Sequence, residues 1–575
     1  MRPTPSDTPN LPRRSADFDT LVESLEYGAR GVAGFNFYNS RGVLTDVLSF
    51  RDLRDRAVAY AGRLASAGVK PGDRVGLLAA TSPDFQVLFF ACLYAGFIPV
   101  PLPLPTAFGR REGYVDQLRG QLQSSGARMV FGPTDFLPIV GEAAADLGLA
   151  RIGTRADLDA LPEQPGAVVK ASPDALCYIQ YSSGSTRFPT GVCVTNAGFM
   201  ANSRAMCVSG VQLRTGDRAL SWLPFFHDMG LVGFMLSPLT SQITVDYLAT
   251  EDFARRPMTW LKLMSDNGGT VSYAPSFGYE LCARRVSATA EGSLQLDLSK
   301  WRVAGIGGEM IKPKVMHQFA EAFRPYGFSD KAFCASYGMA ETVLAISFAE
   351  AGTGMTIDKI DKAELAANHR AVPVDHDDDR TRVFVSCGKV IPGHVVEVRE
   401  VDGAVLGERQ VGRVFAKGPS IMQGYFNDPD ATEESLSDGW LDTSDLGYWA
   451  SGELVIVGRA KDMLIVNGRN IWPQDIEWTV ERMEGMRSGD SAAIVLTGPD
   501  GADQPTILLQ CRPAAKEERA TLLSAVRARV IEAVGVACDV VAVPPRSLPK
   551  TSSGKLARNR AKTLFERGEL TALAD

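Results

Sequence analysis

At 575 residues the chain exceeds a single ordinary hydrophobic core and implies two or more domains. Hydrophobic residues make up 45% and charged residues 22%, a globular balance that excludes a disordered tail, a collagen-like fibre and a disulfide scaffold. Sixty Lys and Arg against 67 Asp and Glu leave a net charge of −7, so no global basic footprint for nucleic acid exists.

Residues 1–18 carry charge and proline but no apolar core, so no secretory signal is expected there. Arg74–Ala79 reads as a strand and Asp84–Tyr94 as a helix with a wide apolar face. The apolar run Val87–Leu104 is broken by Gly96, Pro99, Pro101 and Pro103. It reads as a buried helix entering a strand, not as a membrane span, and no integral membrane association is expected. Further on, Arg128–Gly132 and Ala175–Tyr181 are strands and Trp260–Asn267 a helix. Ser299–Gly307 contains a strand, and Val315–Arg324 is a helix with Met316, Phe319 and Phe323 on one side. This alternation predicts an α/β body with largely parallel sheets.

From about Asp375 the texture turns β-rich, through Val383–Val401 and Arg413–Lys417. A second break falls at Arg459–Asp462, after which Ser491–Leu496, Thr506–Gln510 and the helical Glu517–Ala533 have their own pattern. The expected organisation is an N-terminal body over 1–460, with a small β subdomain over about 375–458, and a mobile α+β C-terminal cap over 461–575. The nine cysteines are scattered, without a CxxC pair. They read as reduced, mostly buried thiols of a cytoplasmic protein.

Six segments carry candidate chemistry, and each has a plainer reading beside it. Tyr181–Gly191, YSSGSTRFPTG, offers the hydroxyls of Ser182, Ser183, Ser185 and Thr186 around Gly184; it is a phosphate-binding turn or a polar hairpin tip. It is not a Walker A loop, because neither Gly-Lys pair precedes Ser or Thr. In Ser221–Leu231, His227 is a reacting group or a packed imidazole. Gly305-Ile-Gly-Gly-Glu309 is a strand ending in a glycine turn, and Met310 disqualifies it as a dinucleotide fingerprint. Ser336–Thr342 holds Tyr337, which could stack on a base, and Glu341, which could hold Mg²⁺ or be a solvated carboxylate. Asp445, in Gly439–Gly447, could accept both hydroxyls of a ribose or, like Asp442, shape a turn. Near the end, residues 546–567 hold seven Lys or Arg against one Glu. They form a solvated basic face or deliver a lysine to phosphate.

The joint order of these segments is specific. YSSGST, LPFFHDMG, GGE, YGMAET, TSDLGYW, GRAKD and PKTSSGK, spread over about residues 45 to 562, resemble the adenylate-forming superfamily of acyl-CoA synthetases, peptide-synthetase adenylation domains and luciferases. Pro224–Gly230, Val385–Gly388 and Asn467–Glu477 look like its fatty acyl-AMP ligase branch, and residues 351–384 sit where that branch carries an insertion.

The resemblance implies ATP-dependent activation of a fatty acid to an acyl-adenylate, with ATP and Mg²⁺ as cofactors. By it, Ser182–Thr186 hold the outer phosphates and Glu341 binds Mg²⁺. Gly307, Gly308 and Glu309, with Ser336, Tyr337, Gly338 and Met339, form the adenine site. Asp445 grips the ribose with Arg459 nearby. His227 lies where carboxylate meets α-phosphate, and Phe277, Gly278, Met229 and Gly230 border the acyl pocket. Lys461 is the hinge, and Lys555 is the cation the cap swings onto the transition state. Many relatives read glycine and lysine at the positions of Arg187 and Thr190, so Arg187 is expected to supply the missing phosphate cation. In the acyl-AMP ligase branch the insertion limits cap movement, and the acyl group passes to the phosphopantetheine thiol of a separate acyl carrier protein. Two alternatives stay open: CoA as acceptor, as in acyl-CoA synthetases, and a degenerate nucleotide-binding protein without activity.

Overall fold

The computed structural model describes residues 11–105, 111–164, 168–182, 190–287, 294–378, 380–466, 469–497, 503–511, 516–550 and 556–573. The β/α alternation of the sequence is the architecture found. A nine-stranded sheet forms the centre. Six of its strands run parallel in the order Phe333–Tyr337, Val303–Ile306, Val271–Ala274, Arg218–Ser221, Thr244–Leu248 and Gly34–Tyr38. Antiparallel strands finish its edges: Ser347–Phe348 and Lys389–Val390 on one side, Leu44–Ser49 on the other. A second, all-parallel sheet holds Ile98–Leu102, Arg74–Leu78, Ala127–Phe131 and Arg151–Gly153.

Between the first two strands of that sheet in chain order runs the helix Pro83–Tyr94. Ser82 caps it by accepting from the Phe85 N–H, and Pro83 occupies the first turn, where a missing N–H costs nothing. Every residue from Phe85 to Tyr94 is buried, so the helix is apolar all round because protein surrounds it, not lipid. Among the described residues no helix is long and apolar enough to cross a membrane. All nine cysteines are free and buried, and burial pushes their thiols up, Cys334 to about 11 for example.

The β-rich run that follows is shared among three sheets. Thr381–Val385 pairs antiparallel with Ile357–Asp361, Lys389–Val390 joins the edge of the central sheet, and Val395–Arg399 opens a five-stranded sheet completed by Gly412–Lys417, Leu436–Ser437, Trp440–Ala450 and Glu453–Arg459. Alternating apolar residues announce strands but not their partners.

Beyond a short 3₁₀ turn at Ala460–Asp462 lie the strands Ser491–Thr497, Asp503–Gln510 and Asp539–Val543 and the helices Pro473–Glu481, Lys516–Val534 and Arg558–Glu566. Ile476, Val480, Ile507, Leu509, Val526 and Val530 belong to an apolar cluster drawn entirely from residues after 463.

Candidate active site

One cleft of about 2860 Å³ opens between the carboxyl ends of the central strands, the β-rich sheet and the C-terminal segment. That is several times the volume of a site for one small ligand. It has room for a nucleotide, an acid and a channel running on toward Lys550 and Arg558.

The strand Phe333–Tyr337 delivers Tyr337 to this cleft, where its hydroxyl donates to Asp445 Oδ2 at 2.6 Å. Asp445 lies directly opposite Arg459 in the antiparallel pair Trp440–Ala450 and Glu453–Arg459. The guanidinium Nε stands 3.6 Å from Asp445 Oδ1. Burial works against the Arg459 charge, but Asp445, Asp462 and Glu341 together hold it above its ordinary value. Arg459 is therefore a fixed cation at physiological pH.

Glu341 sits in a 3₁₀ turn after Gly338, whose Cβ would lie 1.9 Å from the Leu344 carbonyl oxygen; only glycine allows this close return of the chain. Glu341 Oε1 accepts from the Tyr425 hydroxyl at 2.9 Å. Burial pushes its carboxyl up from the ordinary range and Asp228 adds to this, while Tyr425 and Arg459 pull the other way. A partly buried carboxylate of this kind gains from a hard cation beside it. An oxygen donor completed by phosphate oxygens and water is what Mg²⁺ takes, so the residue fits the group the family implies.

His227 caps a short helix at the cleft wall, with Nδ1 2.6 Å from Asp228 Oδ1. Nδ1 accepts from the Met229 N–H at 3.3 Å, so it is engaged within its own turn and Nε2 is the ring nitrogen left for a substrate. Met229 and Phe277 line the cleft nearby, and Phe277 meets Trp222 edge to face with centroids 5.6 Å apart. Gly230 and Gly278 lie behind this wall. A Cβ on Gly278 would come within 2.7 Å of Trp222, so the glycine is what lets the indole close one side of the apolar compartment.

Gly307, Gly308, Glu309, Ser336 and Met339 also line the cleft, and Glu309 Oε1 accepts from the Phe277 N–H at 3.4 Å. Lys461 lines it from the turn Ala460–Asp462. Ser182 and Thr190 mark the two sides of a β-hairpin, with the Ser182 N–H donating to the Thr190 carbonyl at 3.0 Å. Ser183, Gly184, Ser185, Thr186 and Arg187 lie outside the described residues, as does Lys555. Its neighbours Lys550 and Leu556 pair in an antiparallel bridge and line the same cleft.

Three contributors escaped the sequence reading. Tyr425 lies 84 residues from Glu341 in the chain, and no local pattern announces their pairing. Arg558 donates to Glu477 through two nitrogens, at 2.8 and 2.7 Å, and to Asp462 beside Lys461 at 3.0 Å. The basic run flagged it only as one charge among seven. Arg382, within the segment 351–384, lies 3.2 Å from Asp475 and stacks over Trp472, both beyond Lys461.

A known family matches the part of the chain that carries His227, Tyr337, Glu341 and Tyr425. AMP-binding enzymes, as a family, match residues 39–426. The chain belongs to that family. A Caulobacter vibrioides relative, provisionally named an acyl-CoA synthetase, is 48% identical over 96% of both chains. The medium-chain-fatty-acid–[acyl-carrier-protein] ligase JamA of Moorena producens is 32% identical over 96% of this chain and 96% of its own. A solved structure from studies of fatty acyl-adenylate ligases of E. coli and L. pneumophila shares 45% identity and superimposes with a TM-score of 0.92, covering 97% of this chain and 100% of that one.

Proposed function

We propose that the protein activates a fatty acid with ATP to an acyl-adenylate and then transfers the acyl group to the phosphopantetheine thiol of a separate acyl carrier protein. The observation that carries this reading is the continuity of one cleft. It joins the Tyr337–Asp445–Arg459 cluster, the Glu341 carboxylate, His227 and an apolar compartment against Phe277 and Trp222.

In the first step a carboxylate oxygen attacks the α-phosphorus, the bond from α-phosphorus to the bridging oxygen breaks, and pyrophosphate leaves with the electron pair. Such a transfer needs positioning and charge neutralisation more than covalent help. Asp445 accepts from ribose hydroxyls and Tyr337 holds its second oxygen still. Arg459 offers a permanent cation to phosphate, and His227 orients the incoming carboxylate. Mg²⁺ bound at Glu341 would neutralise phosphate oxygens. In the second step the thiol sulfur attacks the acyl carbon, the acyl–phosphate bond breaks, AMP leaves and the thiol proton passes to solvent.

A carrier as acceptor draws support from the segment 351–384. Its Arg382 meets Asp475, and Lys362 Nζ donates to the Ala533 carbonyl at 2.7 Å. These contacts tie the segment to the part beyond Lys461 that would have to rotate for CoA to enter. The name of the C. vibrioides relative favours the second reading, with CoA as acceptor. The activation step is tested by mixing protein, ATP, Mg²⁺ and acids of C8 to C18 and following pyrophosphate release and acyl-AMP by mass spectrometry. Acid-dependent release with stoichiometric acyl-AMP is expected, and release without an acid requirement would refute the reading.

A further inference from the structure

The segment Met422–Phe426 clamps two parts of the site at once. On one side it closes onto the hairpin that carries the glycine-serine turn. The Phe426 N–H donates to the Gly191 carbonyl at 2.7 Å and the Cys193 N–H to the Gly424 carbonyl at 3.0 Å, with Val192 and Tyr425 bridged between them. On the other side it holds Glu341: the Met422 N–H donates to the Glu341 carbonyl at 2.9 Å and the Tyr425 hydroxyl to Glu341 Oε1 at 2.9 Å. Thr432 Oγ1 accepts from the Tyr425 N–H at 2.9 Å and fixes the strap from behind. Tyr425 itself lines the cleft, as does Thr190.

We propose that Tyr425 is a positioning residue for cation-dependent nucleotide binding: its hydroxyl holds Oε1 of Glu341 so that Oε2 is presented to a phosphate-bound divalent cation. The proposal rests on the reading of Glu341 as the Mg²⁺ carboxylate. A carboxylate free to rotate populates several rotamers, of which few aim an oxygen at the phosphates. A charge-assisted hydrogen bond from a phenol anchored by backbone bonds removes that freedom before the nucleotide arrives.

Tyr425→Phe keeps the ring and the backbone clamp and deletes only the donor. ATP binding is measured by calorimetry with Mg²⁺ and with EDTA, alongside the melting temperature. The variant is expected to weaken ATP binding about 10-fold in Mg²⁺ and less than about 2-fold in EDTA. The free Mg²⁺ needed for half-maximal adenylation is expected to rise in parallel, and kcat to fall less than KM rises. Glu341→Gln should show a larger Mg²⁺-specific loss, and Tyr425→Phe should add nothing to it. Equal weakening in Mg²⁺ and EDTA, or wild-type Mg²⁺ dependence in Tyr425→Phe, overturns the proposal. If Glu341→Gln itself keeps wild-type Mg²⁺ dependence, the reading of Glu341 falls, and the role of Tyr425 with it. Additive losses in the double variant would mean that Tyr425 acts elsewhere.

Discussion

Arg382→Met should open the acceptor step to CoA. Arg382 is 4% exposed and lies between Phe384 and Trp472, with the guanidinium carbon 4.8 and 5.2 Å from the two rings. Its NH1 is 3.2 Å from Asp475 Oδ2, but none of its nitrogens meets hydrogen-bond geometry among the described residues. The contact is therefore ionic rather than directed, and burial pulls the guanidinium below its ordinary value while Asp475 opposes this. Removing one member of a buried pair costs about 3–5 kcal/mol, and the undirected geometry places this pair near the lower figure. Asp475 sits beyond Lys461 and Arg382 before it, so the penalty of an unpaired Asp475 arises only while the two parts stay docked. A loss of about 3 kcal/mol shifts a docked–undocked equilibrium by roughly 10². Methionine keeps much of the stem packing on Trp472. The assay is CoA-dependent consumption of preformed acyl-AMP, run beside hydrogen exchange across residues 459–463. CoA use is expected to rise 10- to 100-fold with loss of protection at the turn. A turn that loses protection without any gain in CoA use would refute the link between docking and acceptor choice.

Three further outcomes follow from the same geometry. Lys555→Ala should cut acid-dependent pyrophosphate release by about 10²–10³-fold while ATP affinity is retained; unchanged release in a stopped-flow assay would remove Lys555 from the mechanism. Gly278→Ala should push Trp222 into the compartment, since its Cβ would stand 2.7 Å from the indole. Competition between C8 and C16 acids should then shift toward the shorter one, and an unaltered ratio would place the compartment elsewhere. His394 is buried against Ser420, its Nε2 2.6 Å from the hydroxyl, and burial holds its imidazole below the ordinary value, with Pro392 opposing. A depressed histidine binds its proton in the unfolded chain first. Stability should therefore fall as pH drops below about 6.5 and level off under the folded value. Thermal melts of His394→Gln should lose that slope, and parallel wild-type and variant curves would assign it to other groups.

What the sequence disclosed and what it hid divide along a physical line. Contiguous turns were legible because their glycines and hydroxyls sit side by side, as in Gly305–Glu309 and Ser336–Thr342. The helix Pro83–Tyr94 was legible, as Asp84–Tyr94, from its wide apolar face and from Gly96 and the prolines that break the run after it. Contacts across the fold were not. Arg382 in Thr381–Val385 looks like any strand arginine until Asp475, 93 positions later, is brought beside it, and Tyr425 reads as an ordinary turn aromatic. The run Val383–Val401 read as β-rich, but alternation sets a face and not a partner, and three sheets share it.

The acceptor assay tests the account most directly. Protein is incubated with ATP, Mg²⁺ and a C12 acid until acyl-AMP accumulates, then given either CoA or a holo acyl carrier protein, and both products are followed by mass spectrometry. The account predicts that acyl-AMP persists with CoA and is consumed as acyl-carrier thioester. Rapid acyl-CoA formation with an inert carrier would contradict it.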